Sequence, residues 1–442
     1  MKRLALEKLK QWKSAPHRKP LLLQGVRQSG KTWLLKEFGR CSFKNTAYFN
    51  FEENSDYKQF FEATKDVHRL IQNLEMASGQ TIRPDETLLI FDEIQNAPDA
   101  LGALKYFCEN APEYHVTAAG SLLGVALAKP SSFPVGKVEF LFIHPMNFTE
   151  FLLANGDERF ARYLAEIDEL SPLPDAFYHP LVEKLKMYYV TGGMPEAVLR
   201  WTEEHSVEAV QGVLFQILEA YERDFSKHPD AKEYPKLSLV WRSLPSQLAR
   251  ENKRFLYKVV KEGARAREYE DAVQWLANAG LVQKIYRVSK PGLPLSAYDD
   301  LSAFKLYTAD VGLLRRMAQL APSAFAEGNR LFTEFKGALT ENYALTALLP
   351  QFEGVPRYWS QNNPSYEVDF LVQQENTIIP VEVKADTNLK SRSLKKFKEL
   401  FGKETNLRVR LSLENLKYDD GVLNVPLFMA DQAGRLMEMA KG

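Results

Sequence analysis

Over roughly the first 150 residues, short apolar runs alternate with longer stretches of helical periodicity. The runs Pro20–Gln24, Ala47–Phe51, Thr87–Phe91, His115–Ala118 and Val138–Ile143 read as buried strands, and their alternation with helices predicts a parallel sheet covered on both faces. From about 150 to 205 the pattern turns helical, broken at Thr191-Gly192-Gly193-Met194-Pro195. The stretch from about 206 to 298 stays helical. Within it a helix start is expected at Ser243-Leu244-Pro245-Ser246, with serine as the cap. Tyr269–Gly280 places Ala272, Val273, Leu276 and Ala279 on one face and stops at a glycine. The strand-like Val282–Ser289 and the turn Lys290-Pro291-Gly292 follow, which is the order of a winged-helix unit. Beyond 299 the pattern reads strand, helix, three strands, helix, strand. Four regions are therefore expected: 1–150, 151–205, 206–298 and 299–442.

At 442 residues the chain is too long for one hydrophobic core. Its 45% hydrophobic and 26% charged residues describe an ordinary globular protein. The formal net charge of +0 excludes a global field that would draw it to nucleic acid, so contact with DNA requires a local basic face. Cys41 and Cys108 are too few for a disulfide framework and suit a reducing compartment. The N-terminus opens like an amphipathic helix, and no stretch approaches the roughly 18 apolar residues of a membrane span. A soluble, cytoplasmic chain without a membrane partner is expected.

The octet Gly25-Val26-Arg27-Gln28-Ser29-Gly30-Lys31-Thr32 fits G-x-x-x-x-G-K-T, between an apolar strand and the helical stretch Trp33–Phe38. Glycines let backbone N–H groups wrap phosphates, and the helix N-terminus adds positive potential. Lys31 is the candidate for the β and γ phosphates and Thr32 for Mg²⁺. About sixty residues on, Leu88-Leu89-Ile90-Phe91 delivers Asp92 and Glu93 at a strand end: Asp92 to hold Mg²⁺, Glu93 to polarise the attacking water. Ser121, after the strand ending Thr117-Ala118-Ala119-Gly120, is a candidate γ-phosphate sensor, a helix N-cap, or both.

With Asp92-Glu93-Ile94-Gln95, Ala-Gly-Ser-Leu-Leu at 119–123 and Pro-Met-Asn-Phe-Thr-Glu-Phe at 145–151, the sequence resembles a group of prokaryotic AAA-type ATPases. These carry a C-terminal domain of unknown function and are related to archaeal ATPases with a restriction-endonuclease-like C-terminal domain. The likeness runs on through Tyr189–Ala197 and Phe304–Leu314, so it spans most of the chain. It implies ATP as the nucleotide. It also implies an arginine finger, but here Gly136 is followed by Lys137, a point charge without arginine's planar fork. Gly193-Met194-Pro195 resembles the turn packed near adenine in signalling-type relatives, making Pro195 a nucleotide candidate; a helix start with proline at its first position explains it equally well.

In the last region Asp369 sits in the strand Tyr366–Val372 and Glu382 and Lys384 in Ile378–Lys384, where period-two geometry puts the glutamate and lysine on one face. An aspartate on one strand and E-x-K on the next is the pattern of restriction-endonuclease-like nucleases. Asp369 and Glu382 would bind Mg²⁺, Lys384 would activate water, and Glu341 on the helix Phe335–Leu348 resembles the extra acid of such sites. The helix Lys390–Phe401, with Lys390, Arg392, Lys395, Lys396 and Lys398, offers a local basic face. A half-exposed hairpin and a solvated helix face are the plainer reading of the same residues.

The expected fold is thus α/β: a P-loop AAA-type parallel-sheet domain, a helical lid, a winged-helix-like middle and a C-terminal α/β restriction-endonuclease-like domain. The expected function is an ATP-hydrolysing, Mg²⁺-dependent switch controlling a DNA-directed, nucleolytic output. The rival is a nucleotide-dependent signalling scaffold, with a second copy or another protein as partner, whose nuclease-like domain does not cut.

Overall fold

The computed structural model describes residues 1–121, 133–227, 230–321, 330–362, 365–385, 392–402 and 405–441. The chain divides into two compact units: residues 2–145 with 278–281, and Met1 with 146–277 and 282–442.

The first unit contains α1 (Ala5–Ser14), β1 (Leu21–Gln24), α2 (Lys31–Ser42), β2 (Asn45–Asn50), α3 (Tyr57–Ala63), α4 (Val67–Ser78), β3 (Thr87–Asp92), α5 (Pro98–Asn110), β4 (His115–Ala119) and β5 (Glu139–Phe142). Its five strands run parallel in the order β2-β3-β4-β1-β5. One face, through Leu22, Phe49, Leu89, Phe91 and Val116, packs on Phe61, Leu70, Leu74 and Leu104 of α3, α4 and α5. The other, through Leu21, Leu23, Leu88 and Ile90, packs on Leu9, Trp12, Leu34 and Phe38 of α1 and α2. Burial on both sides is why β3 is apolar without alternation, as parallel strands generally are.

The second unit contains α6 (Phe148–Ala154), α7 (Glu158–Ala165), α8 (Asp175–Thr191), α9 (Pro195–Glu204), α10 (Val207–Asp224), α11 (Tyr234–Leu248), α12 (Tyr257–Val260), α13 (Ala266–Asn278), β6 (Val282–Val288), β7 (Asp299–Thr308), α14 (Val311–Met317), α15 (Arg330–Leu348), β8 (Arg357–Asn362), β9 (Ser365–Gln374), β10 (Thr377–Val383), α16 (Arg392–Phe401), β11 (Arg408–Ser412), β12 (Lys417–Asp419), β13 (Val422–Pro426) and α17 (Ala433–Lys441). The expected segments 151–205, 206–298 and 299–442 share a core that runs from Met146 to Met437. The eight strands form one sheet in the order β12-β13-β11-β10-β9-β8-β6-β7. The β6–β7 hairpin, expected as a wing, joins that sheet through the parallel pairing of Arg287 with Tyr358.

The expected helix start at Ser243 is wrong. α11 begins at Tyr234 and runs through Pro245 to Leu248, and Ser243 Oγ donates back to the Val240 carbonyl at 2.8 Å instead of capping. Serine's local back-bonding is compatible with a helix interior as well as a helix start, which the pattern alone does not separate. The break at 191–195 is real: α8 ends at Thr191 and α9 starts at Pro195. A Cβ on Gly193 would meet the Met146 carbonyl oxygen at 2.0 Å, and the Gly193 N–H donates to Asp310 Oδ2 at 2.6 Å. Close backbone approach, more than turn geometry, sets the residue type there.

Candidate functional site

The glycine-rich loop follows β1 and ends at Lys31, the first residue of α2. Gly25 has φ +153°, and a Cβ there would lie 2.2 Å from the Ile143 carbonyl oxygen. Lys31 Nζ donates to the carbonyls of Gly25 and Val26 at 3.0 Å each. Burial pushes its ammonium down to about 8, against Glu93 and Asp92, which raise it, so the loop and the strand-end acids act on one another. Ser29 Oγ is buried without a hydrogen-bond partner. A loop with an orphaned hydroxyl and an ammonium folded onto its own carbonyls suits an anion that would take over these contacts.

Asp92 is the buried last residue of β3. Its Oδ2 accepts from the Tyr48 hydroxyl at 2.9 Å and its Oδ1 from the Glu93 N–H at 3.0 Å. Glu93 has φ +51°, a left-handed conformation that a glutamate rarely adopts, and its Oε2 accepts from Gln95 Nε2 at 2.5 Å. Thr32 lies in the first turn of α2. Ser121 follows β4, and Gly120 just before it donates to the Leu23 carbonyl at 3.3 Å, which holds the β4 end beside β1. Leu122 and Leu123 lie outside the described residues. Lys137 is engaged elsewhere: its ammonium pairs with Glu109 of α5 at 2.9 Å. Pro195 belongs to the second unit, where it starts α9.

Two further residues matter here, and of these Arg3 carries no signal in the sequence. Arg3 is buried and donates from Nη1 to the Ser29 carbonyl (2.9 Å) and from Nη2 to that of His144 (2.8 Å), bracing the loop from 26 and 141 positions away. Tyr48 had a partial signal: it alternates with Asn50 along β2, but its neighbour Asp92 follows only from the register pairing Asn50 with Asp92.

The C-terminal set is rearranged. Glu341 and Asp369 come together, but with Glu367, the three carboxylates lying within 4.8 Å of one another. Glu382 is outside this group. Val381 packs into the core with α15, so Glu382, one residue on, faces the other side of β10, beside Arg410 of β11. Its Oε1 pairs with Lys384 Nζ at 3.1 Å, on one face as expected. Asp369 keeps a link to that strand by accepting from the Val383 N–H at 2.8 Å. The Glu341 group already holds cations. Lys305, buried on β7, places its ammonium 3.0 Å from Glu341 Oε1 and 2.6 Å from Glu367 Oε1. Lys253 also pairs with Glu341, and Tyr307 donates to it. Burial alone would raise the Glu341 carboxyl, but Lys253 and Lys305 outweigh it and hold it at about 2; burial, then Glu341, push Asp369 up to about 7. Of the basic helix, Lys390 lies outside the described residues, and Lys396 pairs with Glu399 at 3.1 Å.

Residues 17–152 match the AAA domain family, residues 182–324 a domain of unknown function (DUF8612) and residues 336–429 a second one (DUF4143), whose description assigns no activity. No curated protein matches. Among solved structures, the Walker-type ATPase PABY2304 of Pyrococcus abyssi is 13% identical, with 71% of this chain and 94% of that one covered and a TM-score of 0.42. The Aeropyrum pernix ORC1 protein in complex with DNA is 14% identical over 73% and 92%, at a TM-score of 0.26. AMPPCP-bound DnaA from Aquifex aeolicus is 16% identical over 62% and 87%, at 0.25. Likenesses this distant carry no argument about activity. No described helix is long and apolar enough to cross a membrane. The family match over 17–152, the five-stranded parallel sheet and the loop between β1 and α2 agree: the N-terminal unit is an AAA-type P-loop domain.

Proposed function

We propose that the AAA-type domain binds ATP with Mg²⁺ and hydrolyses it slowly, as a switch acting on the C-terminal segment in the cytoplasm. The observation that carries this reading is the placement of the glycine-rich loop after β1 and of Asp92 and Glu93 at the end of β3, the two strands that flank β4 in the parallel sheet. Val26 to Thr32 would cradle the phosphates and Thr32 and Asp92 would hold the cation, while Glu93 would take the proton of the attacking water and Ser121 would orient the γ-phosphate. Mg-ATP would supply the anhydride to be cleaved and the charge that offsets the leaving group. Glu93 Oε2 accepts from Gln95 Nε2, and release of that bond would free both carboxylate oxygens for the water. Lys31→Ala should abolish nucleotide binding, and Glu93→Gln should retain binding with turnover reduced by orders of magnitude, about 10²-fold or more. Equal hydrolysis in Glu93→Gln would reject the assignment.

For the C-terminal segment the scaffold reading is favoured, with a protein partner or a second copy as receiver. The reason is that Glu341 and Glu367 are already neutralised by Lys305 and Lys253, so Glu341 does not fit as a Mg²⁺ ligand. The nucleolytic reading on DNA retains Asp369, Glu382 and Lys384, linked through the Val383 N–H. Supercoiled plasmid with Mg²⁺ or Mn²⁺ and ATP separates the two: nicking lost in Lys384→Ala supports cleavage, and no nicking supports the scaffold.

A further inference from the structure

We infer that Tyr48 is a positioning residue for the divalent cation of the nucleotide site, acting through Asp92; this rests on the nucleotide reading above. The Tyr48 hydroxyl donates to Asp92 Oδ2 at 2.9 Å, while Asp92 Oδ1 takes the Glu93 N–H at 3.0 Å. Each carboxylate oxygen is therefore tied by one donor, which fixes the plane of the group and which lone pairs it offers. A carboxylate held by one N–H alone would be free to rotate about its Cβ–Cγ bond.

The tyrosine is itself fixed. Asn50 Nδ2 donates to its oxygen at 3.3 Å, so the hydroxyl accepts from Asn50 and donates to Asp92, with no ambiguity about where its proton lies. The Lys36 ammonium stands 3.8 Å from the ring centroid, a cation–π contact that holds the ring from α2. Tyr48 and Asn50 share one face of β2, and β2 pairs with β3 so that Asn50 lies opposite Asp92. Hydrogen bonds to a charged acceptor are the strong ones, and partners that orient metal-holding carboxylates typically change metal affinity about 10–100-fold when removed.

Tyr48→Phe keeps the ring and deletes the bond. In the full chain, a fluorescent ADP analogue is titrated in EDTA and again across Mn²⁺ concentrations, with bound Mn²⁺ counted by electron paramagnetic resonance. The expected result is unchanged ADP affinity in EDTA and a half-saturating Mn²⁺ concentration raised about tenfold. Asn50→Ala, which leaves the Asp92 bond in place, should shift the Mn²⁺ dependence in the same direction by less. An unchanged Mn²⁺ dependence in Tyr48→Phe overturns the inference, as does an equal loss of ADP affinity in EDTA, which would mark a general packing role. If the wild type binds no ADP under either condition, the nucleotide reading falls as well, so the two failures are distinguishable.

Discussion

The ammonium of Lys305, wholly buried on β7, lies 3.0 Å from the Glu341 carboxylate on α15. Removing one member of such a pair leaves the other charged and desolvated, at a cost of about 3–5 kcal/mol, whereas replacing both by apolar groups is often neutral. Lys305→Met should therefore destabilise the second unit by that amount, and Lys305→Met combined with Glu341→Leu should recover more than half of it. Urea unfolding followed by circular dichroism reads both; a double variant no better than the single one would contradict the pairing.

Gly25→Ala tests the loop without touching charge. The added methyl would press on the Ile143 carbonyl oxygen, 2.2 Å from the ideal Cβ, in a backbone conformation that side chains rarely adopt. Loss of at least about tenfold in ADP affinity is expected, since a strain of about 1–3 kcal/mol falls on the phosphate-wrapping segment. Equilibrium titration on a variant whose circular dichroism matches the wild type decides it.

Lys137 stands where the family resemblance implies a candidate finger arginine, yet it pairs with Glu109 on the surface of its own unit. Lys137→Ala should consequently change ATP turnover by less than about threefold, against the loss of about 10²-fold or more expected for Glu93→Gln. A fall comparable to that of Glu93→Gln would give Lys137 a place in the catalytic set.

His115, buried among Trp12 and Phe43 on β4, is pushed down to about 4, first by burial and then by Arg18. A histidine kept neutral in the folded state binds its proton more readily when unfolded, so the stability it contributes is full above about 6.5 and is lost as pH falls toward 4. The slope is about 1.4 kcal/mol per pH unit. Thermal melts between pH 7 and 4 should show this acid sensitivity in the wild type and less of it in His115→Phe.

Legibility followed how local each constraint is. The P-loop could be read because consecutive positions carry one chemistry, and β1, β3 and β4 because strands buried on both faces are apolar throughout. Lys305 could not be read so. Within Phe304-Lys305-Leu306-Tyr307 a lysine looks solvent-facing, and its partners Glu341 and Glu367 lie 36 and 62 residues away. The strand pattern pairs Glu382 with Asp369 and Lys384, and only the likeness to nuclease sites adds Glu341. Strand period shows that Glu382 and Lys384 share a face, but it does not say which face α15 covers. The same limit hid Arg3, whose contacts span the length of its unit.

The β6–β7 hairpin is stitched to β8 and so through the sheet to β12. In mechanical terms this makes the middle segment and the C-terminal segment one lever rather than two jointed arms. A tug on β7 is shared along eight strands instead of being absorbed at a hinge.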